Sequence, residues 1–488
     1  MTHPRSRLMT ECFLVWISLL VLLAIGSLGV GVTWDESIYF DFSDSIRRWV
    51  ETERPLAPDT IERHWGYDPY LNPHPPFMKI LDAVTASVLA DVIMFPLHYR
   101  LGHFLYVSLA LAFAFALLRA VLPLAWALAG VLFVVLQPRM FGELLIATTD
   151  APTAMAWLVL PLIAWCLDAS PGRRSRVALR VGLFVGYGFA VATKFTGLLV
   201  AMPLAAFFLY RRNFREAAWM GAAVAWGLLF LVVVSPEKWS SPTAAVADFL
   251  FYPFTRPSIP IATYYFGSSY PFYVPWHYFA VMSLITFPVE LLVSLAGLPF
   301  CRREDRRMVV PLLFCVGFWL VLFHLPITPK HDGVRQFASI FPILGLLSVV
   351  GLRGLLQRLT PIAGPRTAAI VPGPIVALLA VRLWTIHPHE LSFYNSLIGG
   401  VRGAEKAGME MSYYFESVDL AFLRAMNRTL RPGDTVFPVP GGYEVLDLYQ
   451  RKGFLRDDVI VLEGGTPVKP DYFLVLRRRA NVDDAQYI

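Results

Sequence analysis

Long apolar runs recur at short intervals along most of this chain, and they constrain its fold more than any single motif does. The first run, 12–32, carries no charged residue. About 20 apolar residues at ~1.5 Å each match a hydrocarbon core of ~30 Å, so a run of this length can cross a bilayer as one helix. Similar runs follow at 101–118, 122–138, 151–167, 178–193, 196–210, 217–234, 278–299, 308–325, 337–356 and 367–385. Of the 488 residues, 56% are hydrophobic and only 16% charged, against roughly a quarter charged in ordinary soluble domains. An ordinary soluble fold is therefore excluded. The pattern predicts an all-α polytopic membrane protein with about eleven transmembrane helices.

Arg5 and Arg7 ahead of the first run give it the outline of a signal peptide, but the run is too long for one and no small-residue cleavage site closes it, so a retained span is expected. The stretch 77–97 is apolar yet carries Lys79, Asp82 and Asp91. Three ionisable groups are costly in lipid, so this stretch is expected to form interfacial helix in the first external loop. Loop charge gives the orientation. With the N-terminus in the cytoplasm, inner loops hold Arg173, Arg174 and Arg176; Arg211, Arg212 and Arg215; Arg302, Arg303, Arg306 and Arg307; and Arg353, Arg358 and Arg366. The short opposite loops hold far fewer: Arg139, then Lys194, then Lys330 and Arg335. That is the positive-inside asymmetry, and an odd span count places the C-terminal segment outside.

From 386 onward the composition changes. Short β-rich runs at Thr435–Val439, 459–462 and 472–476, a helical run at 418–430 and the turn Pro432-Gly-Asp434 predict a small extracytoplasmic α/β domain over 386–488, after a transmembrane domain over 1–385. Cys12, Cys166, Cys301 and Cys315 have neither CxxC nor metal-ligand spacing, and the C-terminal domain contains no cysteine. There is no Walker motif or dinucleotide fingerprint, and no basic-aromatic pattern that would suggest nucleic acid.

The candidate chemical groups all fall on the external side. Asp35-Glu36 follows the first span. His74-Pro-Pro-Phe-Met-Lys79 presents a histidine from a proline-stiffened turn, and Arg100 opens the next span. Asp150-Ala-Pro152 opens the 151–167 run, and Lys194 lies between two runs. Pro275-Trp-His-Tyr278 forms an aromatic cluster containing Trp276 and His277, and Lys330-His-Asp-Gly-Val-Arg335 holds Asp332 and Arg335. Acids and cations at one depth suit a phosphate-bearing lipid substrate: cations hold the phosphate while a carboxylate takes a proton from an acceptor.

These motifs, in this order, resemble the polyprenyl-phosphate-sugar-dependent membrane glycosyltransferases of the GT-C type, the superfamily of protein O-mannosyltransferases and aminoarabinose transferases. Asp35-Glu36 resembles its acidic pair in the first external loop, and Asp150-Ala-Pro its second acidic motif. His74-Pro-Pro-Phe-Met-Lys79 resembles its His-Pro-Pro-Leu-Gly-Lys element, departing from it at Met78. Arg100, Thr193-Lys194, Pro275-Trp-His-Tyr278, Asp332-Gly-Val-Arg335 and His387-Pro-His-Glu-Leu-Ser-Phe-Tyr-Asn395 continue the match. The similarity runs from about 30 to 420, and the remainder of the tail resembles nothing placed.

The resemblance implies an inverting glycosyltransferase that moves a hexose or pentose from a polyprenyl-phosphate donor to a hydroxyl of a protein, glycan or lipid. It implies Asp35 as base, with Glu36 and Asp150 in the catalytic set. His74, Lys79, Arg100, Lys194 and Arg335 would hold the donor phosphate, and Trp276, His277 and Asp332 would orient substrate. No cofactor is implied; a carboxylate pair could hold a divalent ion, but the resemblance is to enzymes whose transfer step does not generally use one. By analogy, the setting is a bacterial inner membrane. The competing reading is a transporter or flippase of a lipid-linked substrate. It accounts poorly for ionisable groups gathered on one face rather than along a midplane path.

Overall fold

The computed structural model describes residues 5–66, 74–169, 172–255, 261–271, 273–326, 328, 330–363, 372–414, 416–466 and 468–481. The chain begins with α1 (Arg5–Gly26) and passes into three helices lying between the first two long ones: α2 (Trp34–Val50), α3 (Pro58–Trp65) and α4 (Phe77–Leu89). The body continues through α5 (Leu97–Arg119), α6 (Leu124–Val135), α7 (Pro138–Leu145), α8 (Asp150–Asp168), α9 (Arg173–Val191), α10 (Phe195–Leu199), α11 (Ala201–Tyr210), α12 (Phe214–Val233) and α13 (Pro242–Thr255). A short antiparallel hairpin, β1 (Thr263–Tyr265) and β2 (Ser268–Tyr270), precedes α14 (Tyr278–Thr286), α15 (Val289–Leu295), α16 (Arg303–His324), α17 (Ile340–Ala363) and α18 (Pro372–Ile386).

Among the described residues, six helices are long and apolar enough to cross a membrane, or eight if two bent pairs each count as one span. The bent pairs are α6 with α7, at 75°, and α14 with α15, at 111°. Each of the eleven expected runs contains helix, but the count of eleven is not reached by length and apolarity. Proline explains part of this: Pro138 and Pro288 stand at the two breaks, where a missing N–H and a fixed φ interrupt a helix. Run 178–193 lies mostly in α9, which also takes in Arg173, Arg174 and Arg176 ahead of it; run 196–210 divides into α10 and α11; and 364–371 lies outside the described residues.

Helix α8 is the hub. It packs on α5, α9, α16 and α17 and is buried nearly all round, as expected of a helix apolar on every side. Its two ends differ in character. At the far end Asp168 pairs with Arg211 at 2.8 Å, close to Arg307, so the Arg-rich loops gather there. Asp150 stands at the opposite end, some 27 Å away at ~1.5 Å per residue.

The C-terminal part forms an α/β unit from α20 (Leu420–Thr429), β3 (Thr435–Val439), α21 (Tyr443–Arg451), β4 (Ile460–Val461) and β5 (Tyr472–Val475), after a short α19 (Gly400–Lys406). Its sheet is parallel throughout, in the order β4-β3-β5. Its core is continuous with the base of the helical body: Val418, Leu423, Leu446 and Tyr449 pack in one cluster with Val32, Phe40, Phe95 and Tyr99. The Tyr449 hydroxyl accepts from the Val32 amide at 2.6 Å and donates to the Val418 carbonyl at 3.1 Å. Arg451 forms a fork on Asp41, both bonds at 2.8 Å. Gly31 is required here, because a Cβ would lie 2.6 Å from the Val418 carbonyl oxygen. The start of α2 is thus clamped between membrane body and C-terminal domain.

Candidate active site

The site is built on the first turn of α2. Thr33 caps the helix in a reciprocal capping box: its side chain receives the Glu36 amide, and the Glu36 carboxylate receives the Thr33 amide at 3.0 Å. Glu36 is fully buried and meets Arg100 in a two-pronged ion pair, Nε to Oε1 at 2.7 Å and Nη2 to Oε2 at 2.8 Å. It also accepts the Ala147 amide at 2.8 Å. Arg100, equally buried, gives its remaining donors to the carbonyls of Ser27, Val30 and Gly31.

Arg100 therefore does not match the expected phosphate ligand. Every nitrogen of its guanidinium is engaged within the protein, and no surface is left for a substrate. Together with Glu36 it is a strut joining the end of α1, the starts of α2 and α5, and the segment before α8. Glu36, expected among the catalytic residues, is turned inward in the same strut.

Asp35, the neighbouring residue, remains partly exposed, its side chain at 20%. It pairs with Arg335, whose Nε also reaches Asp150 at 3.1 Å. Asp150, buried at the start of α8, takes Lys194 on its other oxygen. Arg335 lies over the Tyr414 ring, 5.3 Å from its centroid, and its Nη1 is 3.7 Å from Asp332. Asp35, Asp150, Lys194, Asp332 and Arg335, separated by up to 300 positions in sequence, thus form one connected group.

The loop carrying Asp332 and Arg335 is held in an unusual backbone conformation. Asp332 has φ 55° and Gly333 φ 65°, a left-handed pair that residues other than Gly, Asn and Asp seldom adopt. The Gly333 carbonyl accepts from the Tyr278 hydroxyl at 3.1 Å. Burial would raise the Asp332 carboxyl, but His331 at 2.9 Å and Arg478 at 2.5 Å hold it down to about 2.

Lys79 and His74 are linked to each other. Lys79 is buried, its ammonium donating to the His74 carbonyl at 2.8 Å and lying 5.1 and 4.8 Å from the ring centroids of Tyr39 and Phe42. Burial pushes this lysine down to about 7, against the opposite pull of Glu237 and Asp82. None of these contacts is with the Asp35–Arg335 group. Trp276 is 69% exposed and lies against His277 and His324, while His277 Nδ1 bonds the Tyr265 hydroxyl at 2.9 Å. From that motif it is Tyr278 that reaches the site loop.

Four further residues surround the group and were not singled out from the sequence: Arg139, Glu143, Tyr414 and Arg478. Tyr414 donates to Glu143 at 2.8 Å, and burial together with Glu143 pushes its phenol up, which keeps it a donor. Arg139 donates to the Phe393 carbonyl at 2.9 Å and lies over the Tyr394 and Tyr413 rings. Arg139 Nη2, Glu143 Oε2, Thr149 Oγ1 and Arg478 Nε are buried without a hydrogen-bond partner among the described residues. The only available signal was two charged residues inside an apolar stretch, Arg139 and Glu143; nothing local marks Tyr414 or Arg478. Among the described residues no group of three or more His, Cys, Asp or Glu side chains is arranged to hold a metal ion.

No family model matches the chain, and no curated protein matches it. Solved structures do. The chain shares its fold with ArnT from Cupriavidus metallidurans in the apo state, with a TM-score of 0.57, 14% identity, and coverage of 93% of this chain and 86% of that one. It matches the same protein bound to undecaprenyl phosphate with a TM-score of 0.55, at the same identity and coverage. The polytopic helical fold expected from the sequence is therefore the one this chain has.

Proposed function

We propose that this protein is an inverting glycosyltransferase that moves a sugar from a polyprenyl-phosphate donor to an acceptor hydroxyl at the outer face of a bacterial inner membrane. The observation that supports this reading best is the meeting of Asp35 and Asp150 on Arg335, with Lys194 on Asp150, in a fold shared with a protein described bound to undecaprenyl phosphate. In this reading the donor phosphate takes up Arg335 and Lys194. Arg335 is released from Asp35 as the phosphate binds, and Asp35 becomes free to act as base.

The chemistry asks little of a general acid. The bond from the anomeric carbon to the phosphate oxygen breaks, and the leaving group is a phosphate monoester already stable as an anion. Asp35 accepts the acceptor's proton as the new glycosidic bond forms on the opposite face, which inverts the anomeric centre. Arg335 and Lys194 stabilise charge on the departing phosphate. The open donors and acceptors on Arg139, Glu143 and Thr149 suit sugar hydroxyls or phosphate oxygens. The left-handed backbone turn at Asp332-Gly333 sets where the Arg335 backbone sits.

The test uses purified full-length protein, radiolabelled polyprenyl-phosphate sugars and candidate acceptors. Asp35→Asn is expected to lower transfer by about 10²–10⁴-fold, the usual contribution of a positioned base, with undecaprenyl phosphate binding retained. Near-normal turnover in Asp35→Asn would remove Asp35 from the role. Movement of the lipid-linked sugar across vesicles without a new glycosidic bond would favour a transporter.

A further inference from the structure

We infer that Arg478, brought in by the C-terminal domain, is a positioning residue of this site: by taking Asp332, it leaves Arg335 turned toward Asp35 and Asp150. The inference rests on the proposed reading of Arg335 as a phosphate ligand.

Three carboxylates lie within reach of Arg335. Asp35 and Asp150 are bonded or paired to it, and Asp332 is 3.7 Å from Nη1. Each nitrogen of the guanidinium faces a different acid, Nε Asp150, Nη2 Asp35 and Nη1 Asp332, so closing on Asp332 would turn the planar fork away from the other two. Arg478 resolves the competition. Its Nη2 lies 2.5 Å from Asp332 Oδ1, while His331 occupies Oδ2 at 2.9 Å. The buried Asp332 charge is thereby neutralised without Arg335, whose contact with it stays beyond hydrogen-bond length.

The chain places Arg478 with care. The segment just past β5 is anchored by Glu410, whose two oxygens accept the amides of Arg479 at 3.1 Å and Ala480 at 3.0 Å. Arg479 also pairs with Glu405 at 3.2 Å, and the Ala480 carbonyl accepts from Ser269 at 3.2 Å. With the backbone held on both sides, the Arg478 side chain enters between the Tyr413 carbonyl, at 3.4 Å, and Asp332. Its neighbour Arg477 stays on the surface, with 57% of its side chain exposed. Removing Arg478 would leave a buried carboxylate with only His331 beside it, and Arg335 is the next cation within reach. An unpaired buried charge draws in whatever partner is available, here at the expense of Asp35 and Asp150.

A residue that merely pins the C-terminal domain would affect stability alone, so the test reads binding. Affinity for undecaprenyl phosphate and melting temperature are measured on full-length protein carrying Arg478→Gln, Asp332→Asn, or both. Arg478→Gln is expected to weaken binding at least tenfold, Asp332→Asn by no more than threefold, and the double variant is expected to return close to Asp332→Asn, because the competing acid is gone. Arg477→Ala is expected to bind as wild type. Binding within twofold of wild type in Arg478→Gln, or a double variant no better than Arg478→Gln, overturns the inference. Should Arg478→Gln not fold, the double variant decides alone: binding near that of Asp332→Asn supports the inference, and weak binding or failure to fold overturns it. Arg335→Ala and Asp35→Asn are run in parallel. If both keep wild-type binding and transfer, the reading of the site itself fails; if they lose function while Arg478→Gln does not, only the role of Arg478 falls.

Discussion

Replacing Arg100 with alanine separates a strut from a substrate ligand. In the folded protein this side chain makes two bonds to Glu36 and three to backbone carbonyls, entirely out of water. Arg100→Ala leaves the Glu36 carboxylate buried, with the Thr33 and Ala147 amides and the Thr33 hydroxyl as its remaining partners. Removing one member of a buried ion pair costs about 3–5 kcal/mol, and the Ser27, Val30 and Gly31 carbonyls also lose a donor. Against a total stability of roughly 5–15 kcal/mol for a folded domain, that is a severe loss. The expected result is a large fall in melting temperature in detergent, followed by fluorescence or circular dichroism, with a poor yield of monodisperse protein. Arg100→Met combined with Glu36→Gln is expected to recover most of the loss, because neutral partners of similar volume leave no orphaned charge. The folded fraction should bind undecaprenyl phosphate like wild type. Wild-type stability in Arg100→Ala together with tenfold weaker lipid binding would refute this reasoning and return Arg100 to the phosphate.

Two other outcomes follow from the same geometry. Lys79 keeps its proton to about 10.4 when unfolded but only to about 7 when folded, so between those values the unfolded state binds more protons and stability rises with pH; denaturant titrations should show that rise, and Lys79→Met should flatten it. Gly333→Ala puts a Cβ at φ 65°, 3.1 Å from Tyr413 and 3.2 Å from Arg139, at a cost of roughly 1–2 kcal/mol for a left-handed L residue; displacement of the Asp332 loop should lower undecaprenyl phosphate affinity, and unchanged affinity would argue that the turn does not set Arg335.

Much of the molecule was readable along the chain because the relevant signals are local. The first run, 12–32, carries no charged residue and overlaps most of α1, and the strands at Thr435–Val439 and Tyr472–Val475 fall where β-rich runs were expected. The span count was not readable in the same way. Pro138 and Pro288 each stand at a helix break, and hydropathy averaged over a window does not register a bend. The candidate residues were readable as a set, but their roles were not. Asp35 and Glu36 are adjacent and chemically alike, yet one faces Arg335 and the other is sealed behind Arg100, because successive residues on a helix point about 100° apart.

The sequence by itself determined that this chain is a helical membrane protein and that acids and cations stand at the ends of particular runs, since hydrophobic length and loop charge act on each segment separately. Only the tertiary structure decided which of those charges meet. Whether a guanidinium is spent on a neighbouring carbonyl, as in Arg100, or placed between three carboxylates, as in Arg335, depends on contacts across as many as 300 residues. The entry of Arg478 into the same group depends on how the C-terminal sheet seats on the base of the body, and no local pattern records that.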